Sequence, residues 1–109
     1  MSADHRLACY GTLAPGQANH HELDGLDGHW RAGVVRGWRL AEGQGAALGY
    51  PVLLPDPAGG TVAVQLFESA GLPARWARLD AFEGEGYRRV TVPVETAAGP
   101  LPAWIYVAA

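Results

Sequence analysis

The sequence predicts an α+β domain in which about six strands curl into a small barrel or strongly bent sheet, with one main helix and short flanking helical turns. Three observations predict it. Val90, Val92 and Val94 alternate with Arg89, Thr91 and Pro93, and Leu101, Ala103, Ile105 and Val107 alternate with Pro102, Trp104 and Tyr106, which is the period of half-buried strands. The 109 residues include 15 Gly and 8 Pro, a content that demands many chain reversals. Only one stretch, residues 71–83, changes to a helical period.

Taken in order, Leu7-Ala8-Cys9-Tyr10 is a short apolar run that reads as a buried first strand. Gly11, Pro15 and Gly16 then enforce a turn, and residues 19–23 suit one helical turn. Residues 30–40 alternate loosely as a second strand, followed by a Gly/Ala-rich loop over residues 42–49. Residues 50–54 form a third strand, residues 55–60 a hairpin-type connection, and residues 61–67 its returning partner. Pro73 fits the first turn of the helix, where a missing N–H costs nothing, and Gly84 stands where a helix stops. Pro93 within the next strand points to an edge position or a bulge. Residues 1–109 are expected to form a single domain, with no internal repeat or linker.

Composition removes several function classes. All eight basic residues are Arg, and without a lysine there is no Schiff-base chemistry. A net charge of −3 does not suit nucleic acid, which needs a basic footprint. The pairs Arg36/Arg39, Arg75/Arg78 and Arg88/Arg89 read as solvated faces. No apolar run approaches membrane-spanning length, and the first ten residues lack an apolar signal core. The single cysteine, Cys9, forbids an internal disulfide and favours a reducing compartment, so a cytoplasmic protein is expected.

The helix carries the chemical signal. Leu72, Trp76 and Leu79 define its buried stripe, and Glu83 falls about 20° from Trp76 on the same wheel. A carboxylate aimed inward is costly unless it is hydrogen-bonded or has a raised pKa, and a raised pKa suits an acid/base working near neutrality. From the helix alone, Glu83 is either that group or a frayed terminal residue escaping to solvent. Asp80 reads as a structural acceptor for loop N–H groups. The second signal is Tyr10-Gly11-Thr12-Leu13, a Gly turn at a strand end whose backbone N–H groups can bind a carboxylate or an oxyanion.

These segments together resemble the gamma-glutamyl cyclotransferase-like superfamily, in its gamma-glutamylamine cyclotransferase-like branch. The resemblance rests on Tyr10-Gly11-Thr12-Leu13 with Pro15-Gly16 and Asn19-His20-His21, on Tyr50-Pro51, and on Leu79-Asp80-Ala81-Phe82-Glu83-Gly84. Tyr87-Arg88-Arg89 and Ile105-Tyr106-Val107 complete it, in order along nearly the whole chain. It implies a small barrel of mixed strands around a pocket for a gamma-glutamyl group. Tyr10, Gly11, Thr12 and Leu13 would hold the substrate's carboxylate and carbonyl, with Tyr50, Tyr87 and Tyr106 as further pocket residues. Glu83 would be the catalytic acid/base. The implied reaction closes the gamma-glutamyl amide to pyroglutamate and releases an amine, with no metal or organic cofactor. One segment departs: where members carry a Gly–Glu–aromatic–Tyr-like run, this chain reads Val64-Gln65-Leu66-Phe67. The released amine is left open among an amino acid, a polyamine, a lysine side chain and an antibiotic intermediate.

Rival readings exist for the same residues. His20, His21 and His29 with Glu22 suggest a metal site, but adjacent histidines diverge in either a strand or a helix. Cys9 with a histidine would make a nucleophilic dyad, yet its apolar strand suits an inert thiol. Tyr87 and Tyr106 either present hydroxyls to a ligand or are half-buried packing. The alternative function is a non-catalytic binding or regulatory module with the same pocket. The expected partner is a small-molecule gamma-glutamyl compound, with no nucleic acid or membrane, for a monomer or homodimer.

Overall fold

The computed structural model describes residues 2–109. Five strands close a barrel: β1 (Arg6–Cys9), β2 (His29–Arg36), β5 (Thr61–Glu68), β6 (Tyr87–Thr96) and β7 (Gly99–Ala108), in the order β1-β5-β2-β6-β7. Every neighbouring pair is antiparallel except β1–β7, which runs parallel through Leu7↔Trp104 and Ala8↔Ile105. The barrel is therefore mixed, and it is closed where the first strand meets the last.

Alternation sorts the side chains into two layers. Ala8, Val35, Val62, Val64, Leu66, Val92, Val94, Ala103, Ile105 and Val107 fill the interior with Leu53. Residues of the opposite parity on β1, β5 and β7, namely Leu7, Cys9, Phe67, Trp104 and Tyr106, form a second core against the helix residues Trp76 and Leu79. All four β1 residues are buried because both faces of that strand are covered.

Three expectations are corrected. Residues 30–40 are not one strand: Gly37, at φ 88°, turns the chain out of β2 and into β3 (Trp38–Glu42). The expected hairpin across residues 55–60 does not pair the strands on either side of it. β4 (Pro51–Pro55) instead pairs with β3 in a separate two-stranded ribbon, and β5 pairs with β2 from His29↔Glu68 to Arg36↔Thr61. The turn itself is real: the Asp56 carboxylate accepts the N–H groups of Ala58 and Gly60, and Gly60 O accepts Gly37 N–H. It returns the chain from ribbon to barrel rather than closing a hairpin, and the hairpin loop is the Gly/Ala-rich segment before it. The helix is also shorter than residues 71–83. A 3-10 turn, Leu72–Ala74, precedes α1 (Trp76–Glu83), and Arg75 between them, at φ −106° and ψ −13°, belongs to neither. The Arg75 guanidinium donates to the carbonyls of Glu22 and Asp24, tying this break to the 3-10 turn at His20–Leu23.

Pro93 needs no bulge. It stands opposite Pro102 on β7, a pair that requires no N–H from either residue, and β6 meets β2 only at Val34↔Glu95. Its missing donor therefore faces a side where the ladder has ended.

Candidate active site

A cavity of about 280 Å³ opens where the end of β1, the end of α1 and the ribbon loop converge. All eight residues singled out in the sequence line it: Tyr10, Gly11, Thr12, Leu13, Tyr50, Glu83, Tyr87 and Tyr106. Ala8, Cys9, Asn19, Ala46, Pro51 and Phe82 complete the wall. An adjoining hollow of about 410 Å³ shares Cys9, Tyr10, Gly11, Thr12 and Pro51 with it and reaches Gln17 and Gln65. The departure at Gln65 therefore touches the neighbouring hollow and not the cavity that holds Glu83.

Glu83 is the last residue of α1 and keeps helical backbone angles, φ −66° and ψ −35°. The helix end is not frayed, because Gly84 N–H bonds the carbonyl of Asp80. Glu83 is half-buried, and burial alone pushes its pKa up to about 7. Among the described residues it is the only carboxylate lining the cavity, and no Arg or His lies there with it. Its neighbours register it. Burial first, and then the Glu83 charge, raise the Cys9 thiol far out of the reactive range. Cys9 is an inert wall residue.

The loop after β1 is fixed from both sides. Ala14 N–H bonds Gly11 O, Asn19 N–H bonds Thr12 O at 2.9 Å, and His20 Nδ1–H donates to Leu13 O at 2.9 Å. The carbonyls of Gly11, Thr12 and Leu13 are thus engaged. Among the described residues, the N–H groups of the same three residues have no protein acceptor in the loop. Three rigidly held donors beside one carboxylate is an arrangement that can hold an anion or a developing oxyanion.

The tyrosines divide differently from expectation. Tyr10 donates its hydroxyl to the Tyr106 carbonyl, Tyr87 donates to Pro51 O at 2.7 Å, and Tyr106 donates to Asp80 Oδ1 at 2.7 Å. Their protons are committed to protein, so they shape the wall and are not free donors to a ligand. Tyr50 alone is exposed, at 51%. Asp80 is also reassigned: its carboxylate accepts no loop N–H but takes Tyr106 and both Nε and Nη2 of Arg89. The Arg89 guanidinium beside it, then the Tyr106 hydroxyl, hold the Asp80 carboxyl below the usual range. Arg89 is no solvated charge, since its guanidinium lies 4.5 Å and 4.3 Å from the ring centres of Trp76 and Trp104.

Residues that sequence reasoning did not assign to the site are Ala8, Cys9, Asn19, Ala46, Pro51 and Phe82. Asn19 lies within the Asn19-His20-His21 run already singled out. Phe82 carried a usable signal, being a large apolar residue off the buried stripe of its helix and next to Glu83. His20 and His21 diverge as their adjacency requires, His20 toward Leu13 and Trp30 and His21 toward Glu22.

The family described as gamma-glutamyl cyclotransferase, AIG2-like, matches residues 7–109. The chain belongs to that family. The cyclotransferase fold is equally evident in solved structures. YkqA from Bacillus subtilis superposes with a TM-score of 0.75 at 28% identity, over 95% of this chain and 35% of that one. PH0828 from Pyrococcus horikoshii gives 0.69 at 26% identity, over 94% and 76%. An AIG2-like protein from Mus musculus gives 0.73 at 24% identity, over 96% and 77%, a likeness of fold. This chain spans about a third of YkqA and about three quarters of the other two. No curated protein matches it in sequence. Membership of the cyclotransferase family and the likeness to these structures agree with the closed mixed barrel.

Proposed function

We propose that this protein is a lyase-type gamma-glutamyl cyclotransferase that converts a gamma-glutamyl amide to pyroglutamate and a free amine, with Glu83 as the acid/base. The observation that carries the reading is Glu83 itself, a lone cavity carboxylate whose pKa of about 7 lets it exchange protons at neutral pH. In this mechanism Glu83 takes a proton from the substrate's alpha-ammonium group. The freed amine attacks the gamma-carbonyl carbon, and the new C–N bond closes the five-membered lactam. As the tetrahedral intermediate collapses, Glu83 returns its proton to the leaving nitrogen and the bond to that nitrogen breaks. The ring nitrogen then gives up its second proton through the regenerated Glu83 carboxylate to the released amine, which departs as an ammonium. Atoms and charges balance without a cofactor or co-reactant. An intramolecular attack supplies its own proximity, so the protein has only to fold the substrate and move protons. The N–H groups of Gly11, Thr12 and Leu13, with the Thr12 hydroxyl and Asn19 amide, are the donors available for the carboxylate and the oxyanion.

The test is Glu83→Gln, which keeps size and removes proton transfer. Amine release from a gamma-glutamyl amide is expected to fall by about 10²–10⁴-fold, with binding of the amide retained. Unchanged cyclisation would overturn the role of Glu83. Ligand binding without turnover by the unaltered protein would instead favour a binding module that keeps the pocket.

A further inference from the structure

Among the described residues, four large apolar side chains are exposed: Leu40, Leu48, Tyr50 and Phe82. Two of them, Tyr50 at 51% and Phe82 at 40%, also line the cavity of Glu83, so they run from its wall to its mouth. Neither is demanded by packing. Phe82 lies off the stripe formed by Trp76 and Leu79, and Tyr50 follows a glycine at the end of the ribbon loop. The same loop places Ala46 in the wall and Leu48 in solvent. The loop sits close on the helix exit, where a Cβ on Gly86 would stand 2.8 Å from the Ala47 nitrogen and Cβ. The mouth is thus an aromatic and aliphatic collar held at fixed spacing beside the acid/base.

Charge points the same way. Among the described residues, Glu83 is the sole formally charged one lining the cavity. A leaving group carrying a carboxylate would meet that charge with no guanidinium to offset it. A cationic leaving group would have no acidic partner in the wall except Glu83, and pairing there would hold down the basicity that the proton transfer needs. Glu42 and Glu85 are solvent-exposed and outside the lining, where their fields are screened. Only an uncharged, apolar leaving group finds complementary surface.

Building on the cyclisation reading, we propose that the substrate is a gamma-glutamyl amide of an apolar amine, aromatic or alkyl, and that Tyr50 and Phe82 are the side chains that select it. The glutamyl head binds against Tyr10-Gly11-Thr12-Leu13 and Glu83, and the amine's apolar body lies between Tyr50 and Phe82.

The experiment compares gamma-glutamyl-benzylamide, gamma-glutamyl-putrescine and gamma-glutamyl-glycine on the unaltered protein, reading kcat/KM from amine release. The benzylamide is expected to lead each charged amide by on the order of tenfold or more, the effect of burying one aromatic ring. In Phe82→Ser and Tyr50→Ser that lead is expected to shrink, mainly through a higher KM for the benzylamide. Equal rates for the three amides, or a charged amide leading, would overturn the specificity while leaving cyclisation intact. If none of the three is turned over, the cyclisation reading fails. The specificity is then judged by dissociation constants on the same protein, where a tighter benzylamide supports the apolar collar and equal or reversed affinities overturn it.

Discussion

At the residue scale Glu83 carries two linked predictions. Its folded pKa of about 7 lies above the usual 4.5 because burial disfavours the charge. As a base it must be ionised, so kcat/KM is expected to rise with pH through about 7 and to level above it. A pH–rate profile with its acid limb near 4.5 would contradict this. The stability effect has the opposite sign. Between 4.5 and 7 the unfolded chain has lost the Glu83 proton while the folded chain keeps it, so this residue destabilises the fold increasingly up to about pH 7. Glu83→Gln is therefore expected to unfold later in urea, with a gain about 2 kcal/mol larger at pH 8 than at pH 5. Activity lost and stability gained in one substitution separates a functional carboxylate from a structural one. The inward direction of Glu83 was legible from helical spacing. The commitment of Tyr10, Tyr87 and Tyr106 to protein acceptors was not, because their partners lie 96, 36 and 26 residues away.

At the scale of elements, α1 has only eight residues and is too short to hold itself together in water. What holds it is the set of contacts around Asp80 and Arg89. Asp80 on α1 takes Arg89 of β6 and Tyr106 of β7, and the Arg89 guanidinium lies between Trp76 of α1 and Trp104 of β7. Arg89→Lys keeps the charge but loses the planar fork that bonds twice and stacks on two rings. It is expected to cost about 1–2 kcal/mol in denaturant unfolding and to weaken kcat/KM through misplacement of Glu83. A surface charge would show neither effect. The ribbon loop is the second positioned element. Gly86→Ala would push a methyl group into the Ala47 backbone, and the loop must shift to admit it. A rise in KM of on the order of tenfold is expected, with the urea midpoint lowered only modestly, because the displaced loop sits at the mouth and not in the barrel. An adjacent Arg pair in sequence reads as solvated charge. Only the meeting of Trp76 and Trp104, 28 residues apart in the chain, as a tilted pair under the Arg89 guanidinium makes one of the two a structural clamp.

At the scale of the whole molecule, the barrel depends on joining its first strand to its last. Arg6 of β1 is buried at 6% exposure and bonds Glu68 of β5 at 2.7 Å and Pro102 O of β7 at 3.2 Å, so one side chain ties three strands. The Arg6 hydrogen bond holds the Glu68 carboxyl below its usual 4.5. A depressed folded pKa contributes stability that is present above 4.5 and lost as pH falls through the folded value. Arg6→Ala is expected to cost about 3 kcal/mol at pH 7 by leaving Glu68 with only its longer ion pair to Arg31 at 3.6 Å, and to flatten the acid limb of the stability–pH curve below 4.5. An unchanged acid limb in the variant would show that Arg6 is not what holds Glu68 charged. The sequence by itself determined the strand-rich class, the single helix, its buried stripe with Glu83 beside it, and the Gly turn after the first strand. These follow from local period and turn chemistry, which act over a few residues. Tertiary structure alone decided that residues 38–55 leave the barrel as a ribbon, because strand pairing is set by register between distant segments and not by spacing along one. It also decided the collar of Tyr50 and Phe82, since a mouth exists only once a loop and a helix end, 32 residues apart, meet around the same space.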